Sequence, residues 1–178
     1  MNWTNIHGLP APLAAAIRND SYKKVGWISA TSLLQPPQKR VLEARHGAKI
    51  VTDVSENIFS LLGQVVHGIL ERSATANEVP ERRLIVTVRG KEISGQADLF
   101  ESLHASGGLL SDYKTVSVAA FQASDKDSWH QQLNIYAHLF AKHGVEVKQL
   151  QIVAIFRDFS KRKARRDKDY PQSGVMLI

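Results

Sequence analysis

Cysteine is absent from the 178 residues, which excludes disulfides and thiolate metal sites and gives no indication of secretion. No apolar run reaches the length a bilayer requires, and the N-terminus has no basic stretch leading into an apolar one, so the expectation is a cytoplasmic protein with no membrane attachment. Internal repeats, low-complexity tracts and linker-like stretches are also missing, which points to a single domain over residues 1–178. Within it we distinguish an N-terminal helical segment (1–54), a core (55–156), and a basic segment with a tail (157–178). The length is enough to bury a real core, and 43% hydrophobic with 22% charged residues is ordinary for a globular chain.

What is present is an unevenly placed positive charge. The formal net charge is +6, and between Arg157 and Lys168 seven basic residues stand against two acids. Such a segment, which includes Lys161, Arg162, Lys163, Arg165 and Arg166, is the electrostatic footprint of a polyanion partner, most often nucleic acid. A solvated, flexible loop at a domain edge would read the same way.

Periodicity supplies the elements. Pro10-Ala11-Pro12 opens a short helix through Ile17, and hydroxyl residues from Ser29 begin another, which Pro36-Pro37 interrupts before a further helix runs to His46 and stops at Gly47. From Ser55 to Arg72, Ile58, Leu61, Leu62, Val65, Ile69 and Leu70 form one broad apolar helical face. Gly63, His67 and Glu71 form a separate stripe at intervals of four. Because glycine inside a helix costs about 1 kcal/mol relative to alanine, Gly63 suggests the close approach of a strand or a DNA backbone. His67 could ligate a metal, although a lone helical histidine is commonly structural.

Strands are expected over residues 83–89, 91–101, 108–116 and 147–156 from their alternation and their Val and Ile content. Residues 116–126 show no hydrophobic period and read as a mobile connection. Asp127 or Ser128 can cap a helix to His143, whose Trp129, Leu133, Tyr136, Ala137 and Phe140 face the core, with Gln132 and Tyr136 one turn apart. The apolar tail 175–178 suits either a final strand or the start of an element lying beyond it. The fold class is therefore α/β, a central mixed sheet flanked by helices.

The second and third strands carry the chemistry. If the loop joining them centres on Ala105, residues whose numbers sum to 210 face each other, so Asp98 lies opposite Asp112, with Lys114 on the same sheet face. Facing carboxylates destabilise a ladder unless something offsets them. A divalent cation is the simplest such partner, since magnesium takes one or two carboxylates plus waters and phosphate oxygens, and Lys114 would reach the water or phosphate that it holds. From these two segments alone, a solvated hairpin face with a chance acid pair reads equally well.

Taken together in order, Gly63-x-x-x-His67, Gly95-x-x-Asp98, Asp112-Tyr113-Lys114 and Gln132-x-x-x-Tyr136 resemble the motif series of the PD-(D/E)XK nuclease superfamily. The branch that the series resembles is the RecB-type and CRISPR-adaptation exonuclease branch, and the Ser29–Leu33 segment with the following prolines is similar to phage-encoded members. The resemblance spans roughly residues 25 to 175. It implies a restriction-endonuclease-like core in which His67, Asp98, Asp112 and the Tyr113 carbonyl hold Mg2+ or Mn2+ while Lys114 orients or helps deprotonate the attacking water. Gln132 and Tyr136 would support the site and contact the DNA strand, with Glu71 an accessory.

The same resemblance implies a metal-dependent DNA exonuclease in phage replication, recombination or repair, with a strand-annealing or single-strand-binding protein as a further partner. An endonuclease on the same scaffold, or an idle nucleic-acid-binding module, are the other readings. Relatives with an iron–sulfur cluster carry flanking cysteines, so no cluster is expected here; Pro36-Pro37 falls near where one such cysteine would lie. Many relatives continue with a further helix after the Tyr-Pro segment, which suggests truncation at the C-terminus. Oligomeric state, digestion polarity and strand preference stay open.

Overall fold

A computed structural model describes residues 2–19, 26–73, 75, 78–103 and 107–178. The side chains of residues 78 and 80–82 are outside that description. The centre of the hairpin loop, residues 104–106, lies outside the described residues, so the placing of Ala105 is not addressed directly.

The elements in order are β1 (Asn2–Thr4), α1 (Ala11–Arg18), β2 (Ile28–Ser29), α2 (Ala30–Leu33), α3 (Pro37–His46), β3 (Val51–Asp53), α4 (Ile58–Arg72), β4 (Glu78–Val88), β5 (Lys91–Ser102), β6 (Gly108–Val116), α5 (Val118–Ala123), α6 (Asp127–Lys142), β7 (Val147–Phe156), α7 (Lys161–Ala164) and β8 (Val175–Leu177). β2, β5, β6, β7 and β8 neighbour one another in that order, and β4 pairs with β5 to complete six strands. The β2–β5 and β6–β7 pairs are parallel and the others antiparallel, so the sheet is mixed. Helices α5 and α6 form the crossover that a parallel β6–β7 pair requires.

The hairpin register is the expected one. Leu99 faces Ser111, Phe100 Leu110, Glu101 Leu109 and Ser102 Gly108, every pair on the 210 rule. β4 accompanies β5 from Lys91 to Glu101, so β2 and β6 must share the opposite edge of β5. Ile93 and Ser94 pair with β2, while β6 takes over only from Leu99. Between them the edge is forked, and Asp98 stands at the fork.

Helix α6 covers this sheet. Its Leu133, Tyr136, Leu139 and Phe140 are buried with Leu84, Ala97, Leu110 and Ile152 in the main core, each large side chain contributing roughly 1.5–3 kcal/mol of burial. Phe140 stacks on Phe100 with ring centroids 5.0 Å apart. A second cluster joins Val118 and Phe121 of α5 to Phe156 and Tyr170.

Several expectations need correction. Helix α5 lies inside the stretch read as a mobile connection; its six residues bury only Val118 and Phe121, too few to show a period. It is started by Ser117, whose Oγ accepts the Ala120 N–H. Neither Asp127 nor Ser128 caps α6: Lys126 precedes it in the left-handed region (φ 63°), and Asp125 accepts the Asp127 N–H. The 1–54 segment also contains β1, β2 and β3, of two or three residues each, too short for alternation to register. The tail takes the first of its two expected forms, a final strand, β8, paired with β7. The broad apolar face of α4 is not a buried face, since Ile58 and Leu61 pack on the α1 cluster while Leu62, Val65 and Ile69 remain 40–50% exposed.

The N-terminal segment is fastened by one carboxylate. Buried Asp53 accepts the Thr4 hydroxyl at 2.9 Å, the Ile6 N–H at 2.8 Å and the Ser55 N–H at 3.0 Å. The Ile6 main-chain bond, followed by the Ser55 contact, holds its pKa well below the ordinary 3.8. A depressed pKa contributes stability that is complete above about pH 4 and lost as the pH falls further. Replacing Asp53 by Ala is therefore expected to lower the melting temperature at pH 7 and to flatten its dependence on pH below about pH 4; a melting temperature and an acid dependence both like the parent's would show that the carboxylate is not the fastening.

Candidate metal centre and nucleic-acid cleft

A cleft of about 690 Å³ opens at the fork. Its walls include Gly63, His67 and Glu71 from α4, Asp98 from β5, Asp112, Tyr113 and Lys114 from β6, and Gln132 and Tyr136 from α6. Every residue singled out along the motif series for metal or catalytic work therefore lines one cavity.

The contacts are specific. His67 Nδ1 is 3.2 Å from Asp98 Oδ1, and Asp98 Oδ2 accepts the Tyr113 N–H at 2.7 Å. With β5 and β6 parted at the fork, this main-chain donor is satisfied by a side chain. The His67 ring stands edge-on to Tyr113 with centroids 6.3 Å apart. Lys114 Nζ lies 2.7 Å from Asp112 Oδ2 and donates to Gln132 Oε1 at 3.1 Å. Gln132 Nε2 in turn donates to Asp112 Oδ1 at 3.3 Å and to the Tyr136 hydroxyl at 2.7 Å. One glutamine amide thus ties the acid, the lysine and the tyrosine together.

Asp112 is only 2% exposed, which rules out the solvated-face alternative for this residue. Burial raises its pKa from 3.8 to about 6, against the attraction of Lys114 and with a further upward push from Asp98. Loss of hydration therefore outweighs the neighbouring Lys114 ammonium. An imidazole and two carboxylates around an open cavity fit a hard or borderline divalent cation such as magnesium or manganese. Among the described residues no set of three such side chains already forms a ligating group; His67 is drawn to Asp98 and Lys114 to Asp112.

No protein-family model matches the chain, and no curated protein matches it. Among solved structures it is similar to one described as the crystal structure of SSO0001, with 22% identity and a TM-score of 0.59 over 83% of this chain and 71% of that one. The likeness concerns the fold: a mixed α/β arrangement with a central sheet flanked by helices. Among the described residues no helix is long and apolar enough to cross a membrane.

The basic residues are placed elsewhere. Lys161, Arg162, Lys163, Arg165 and Arg166 are exposed on and just after α7, and none lines the cleft. Their segment is more ordered than a structureless loop would be. Ser160 Oγ accepts the Lys163 N–H, and the Tyr170 hydroxyl accepts from the Ser160 N–H and donates to the Asp158 carbonyl.

Arg83, Gln96, Ser60, Gln64 and Thr115 also line the cleft and were not singled out from the sequence. Arg83 and Gln96 face each other across β4 and β5, with Arg83 Nη2 donating to Gln96 Oε1 at 2.5 Å. Strand parity could have found Gln96, two residues before Asp98 on the same face.

The neighbouring strand anticipated at Gly63 is not there. An added Cβ would meet nothing within 4 Å, and the residue opens directly onto the cleft. Gly63→Ala is accordingly expected to raise stability by up to about 1 kcal/mol through helix propensity. If a polynucleotide backbone occupies that space, the same change should weaken DNA binding several-fold in a filter-binding titration. Equal affinity for both proteins would remove close approach as the reason for glycine.

Proposed function

We propose that this chain is a divalent-metal-dependent deoxyribonuclease with a PD-(D/E)XK, restriction-endonuclease-like core, acting as an exonuclease. The observation that supports the reading is the meeting of His67, Asp98, Asp112, Lys114, Gln132 and Tyr136 in one cleft, in contacts of 2.7–3.3 Å. Phosphodiester hydrolysis needs a nucleophile at neutral pH, neutralisation of charge developing on phosphorus, and help for the departing oxygen. A bound Mg2+ or Mn2+ supplies Lewis acidity towards the phosphate and a water of lowered pKa.

The protein's own part is to hold and to orient. His67, Asp98 and Asp112 are the residues that would hold the cation. Lys114, fixed between Asp112 and Gln132, presents an ammonium to the attacking water or to a phosphate oxygen. Tyr136, anchored through Gln132, is part of the cleft wall that a strand would meet. The exposed cations from Lys161 to Arg166 supply sequence-independent, salt-sensitive attraction to phosphates.

End-labelled linear DNA, single- and double-stranded, incubated with manganese beside a covalently closed circle tests this reading. Nucleotide release from the linear forms alone is the expected result. Nicking of the circle would make the enzyme an endonuclease, and binding without hydrolysis in either cation would reduce the chain to a nucleic-acid-binding module.

A further inference from the structure

At the rim of the cleft an aromatic ring is left in solvent with a cation against it. Phe59, the second residue of α4, is 56% exposed. Its neighbours Ser60 and Gly63, next to it and one turn on, both line the cleft. Arg157 is brought to the ring by the sheet: β7 ends at Phe156 opposite Val116, and the Arg157 N–H donates to the Val116 carbonyl at 3.1 Å. Val116 follows the cleft-lining Thr115 and is two residues from Lys114. The guanidinium carbon then lies 4.0 Å from the centroid of the Phe59 ring.

We propose that Phe59 and Arg157 form a stacking platform for an unpaired nucleobase of the strand that enters the cleft, an inference that rests on the nuclease reading above. A flat ring exposed beside a polar cleft offers a π-face that any base can cover without regard to sequence, while an adjacent guanidinium can stack on the base or engage the phosphate next to it. Arg157 is also the first cation of the run that continues to Lys168, so a strand crossing Phe59 on its way out of the cleft passes onto the positive segment. The other exposed apolar residues of α4, Leu62, Val65 and Ile69, are aliphatic. They have no π-face to offer. Because a base inside a duplex has both faces covered by its neighbours, the platform predicts engagement of single strands or duplex ends.

The test compares a labelled thymidine oligonucleotide with an abasic strand of equal length, by fluorescence anisotropy in chelator so that nothing is cleaved. Phe59→Ala is expected to weaken binding of the thymidine strand about tenfold, within the usual worth of one stacked base, and to leave the abasic strand unaffected. Phe59→Leu keeps the apolar volume without the π-face and should show the same loss, whereas Phe59→Trp should retain parental affinity. Equal losses on both strands, or no loss on either, would overturn the platform. Parental protein that shows this base-dependent binding yet releases no nucleotide in manganese would sink the nuclease reading and keep the platform; cleavage with Phe59→Leu binding as the parent does would give the reverse. Binding of neither strand would remove the platform and leave the nuclease reading to nucleotide release in manganese.

Discussion

Asp112→Asn is expected to lower metal-dependent DNA cleavage by about a thousandfold while making the metal-free protein more heat-stable. The loss follows from the several kcal/mol that metal-centred charge stabilisation supplies, at 1.36 kcal/mol per decade of rate. The gain follows from burial. Asp112 is 2% exposed and its pKa is raised to about 6, with burial as the largest cause, so carrying the charge that it bears at neutral pH costs more in the folded chain than in the unfolded one. Asparagine keeps the shape without the charge, and Lys114, whose side chain is 22% exposed, can still reach water.

The pH dependence has a definite sign. With a folded pKa near 6 against 3.8 for the free carboxyl, the folded chain holds a proton that the unfolded chain has released, so this group's contribution grows as the pH falls from about 6 towards 4. Metal-free melts of the parent should show that slope, and those of Asp112→Asn should lack it. Manganese should raise the melting temperature of the parent and scarcely that of the variant, since only a ligand held by the native state stabilises it. Lys114→Ala should lose cleavage to a similar degree while keeping most DNA affinity, because the cations of α7 are untouched. An Asp112→Asn or Lys114→Ala protein that digested DNA at the parental rate would refute the assignment.

The parts of this site that could be read from the residues share one property: they lie on long regular elements. Centring the loop between the two alternating runs on Ala105 predicts the 210 register that Leu99–Ser102 and Gly108–Ser111 adopt, and Asp98 and Asp112 line one cleft. The apolar spacing of α6 likewise placed Leu133, Tyr136 and Phe140 inward. What escaped was either short or dependent on tertiary neighbours. β2 is two residues long, yet its pairing with Ile93 and Ser94 creates the fork that frees Asp98 from the ladder. Nothing in the continuous alternation of β5 records that it changes partners at mid-length. Residues on α4 such as Val65 and Ile69 look like core residues and stay exposed, because an apolar face states only that burial is favourable and leaves open whether another element arrives to cover it. Arg83 was legible as a strand residue, but its position on the cleft depends on the β4–β5 pairing opposite Gln96.

Gly95 shows why fold and site cannot be altered separately. A Cβ there would lie 2.6 Å from Leu139 Cδ1 and 2.8 Å from two ring carbons of Tyr136. The leucine methyl can turn away; the tyrosine ring cannot do so freely, since its hydroxyl accepts from Gln132 Nε2 at 2.7 Å. Relief must therefore come from moving α6 off β5. Overpacking of this kind costs about 1–3 kcal/mol, which for a chain of this size corresponds to a fall of roughly 5 °C in melting temperature. The same movement shifts Gln132, and with it the bonds that hold Asp112 and Lys114, so cleavage by Gly95→Ala should fall on the order of a hundredfold even at temperatures where it is fully folded. Adding Leu139→Ala makes room for the new methyl on one side only. The double variant should lose less stability than the two single changes summed, a favourable coupling between contacting sites, while its activity stays low because the Tyr136 contact persists. Restored cleavage in the double variant would locate the damage in general packing of α6 and remove Tyr136 as the link between Gly95 and the site.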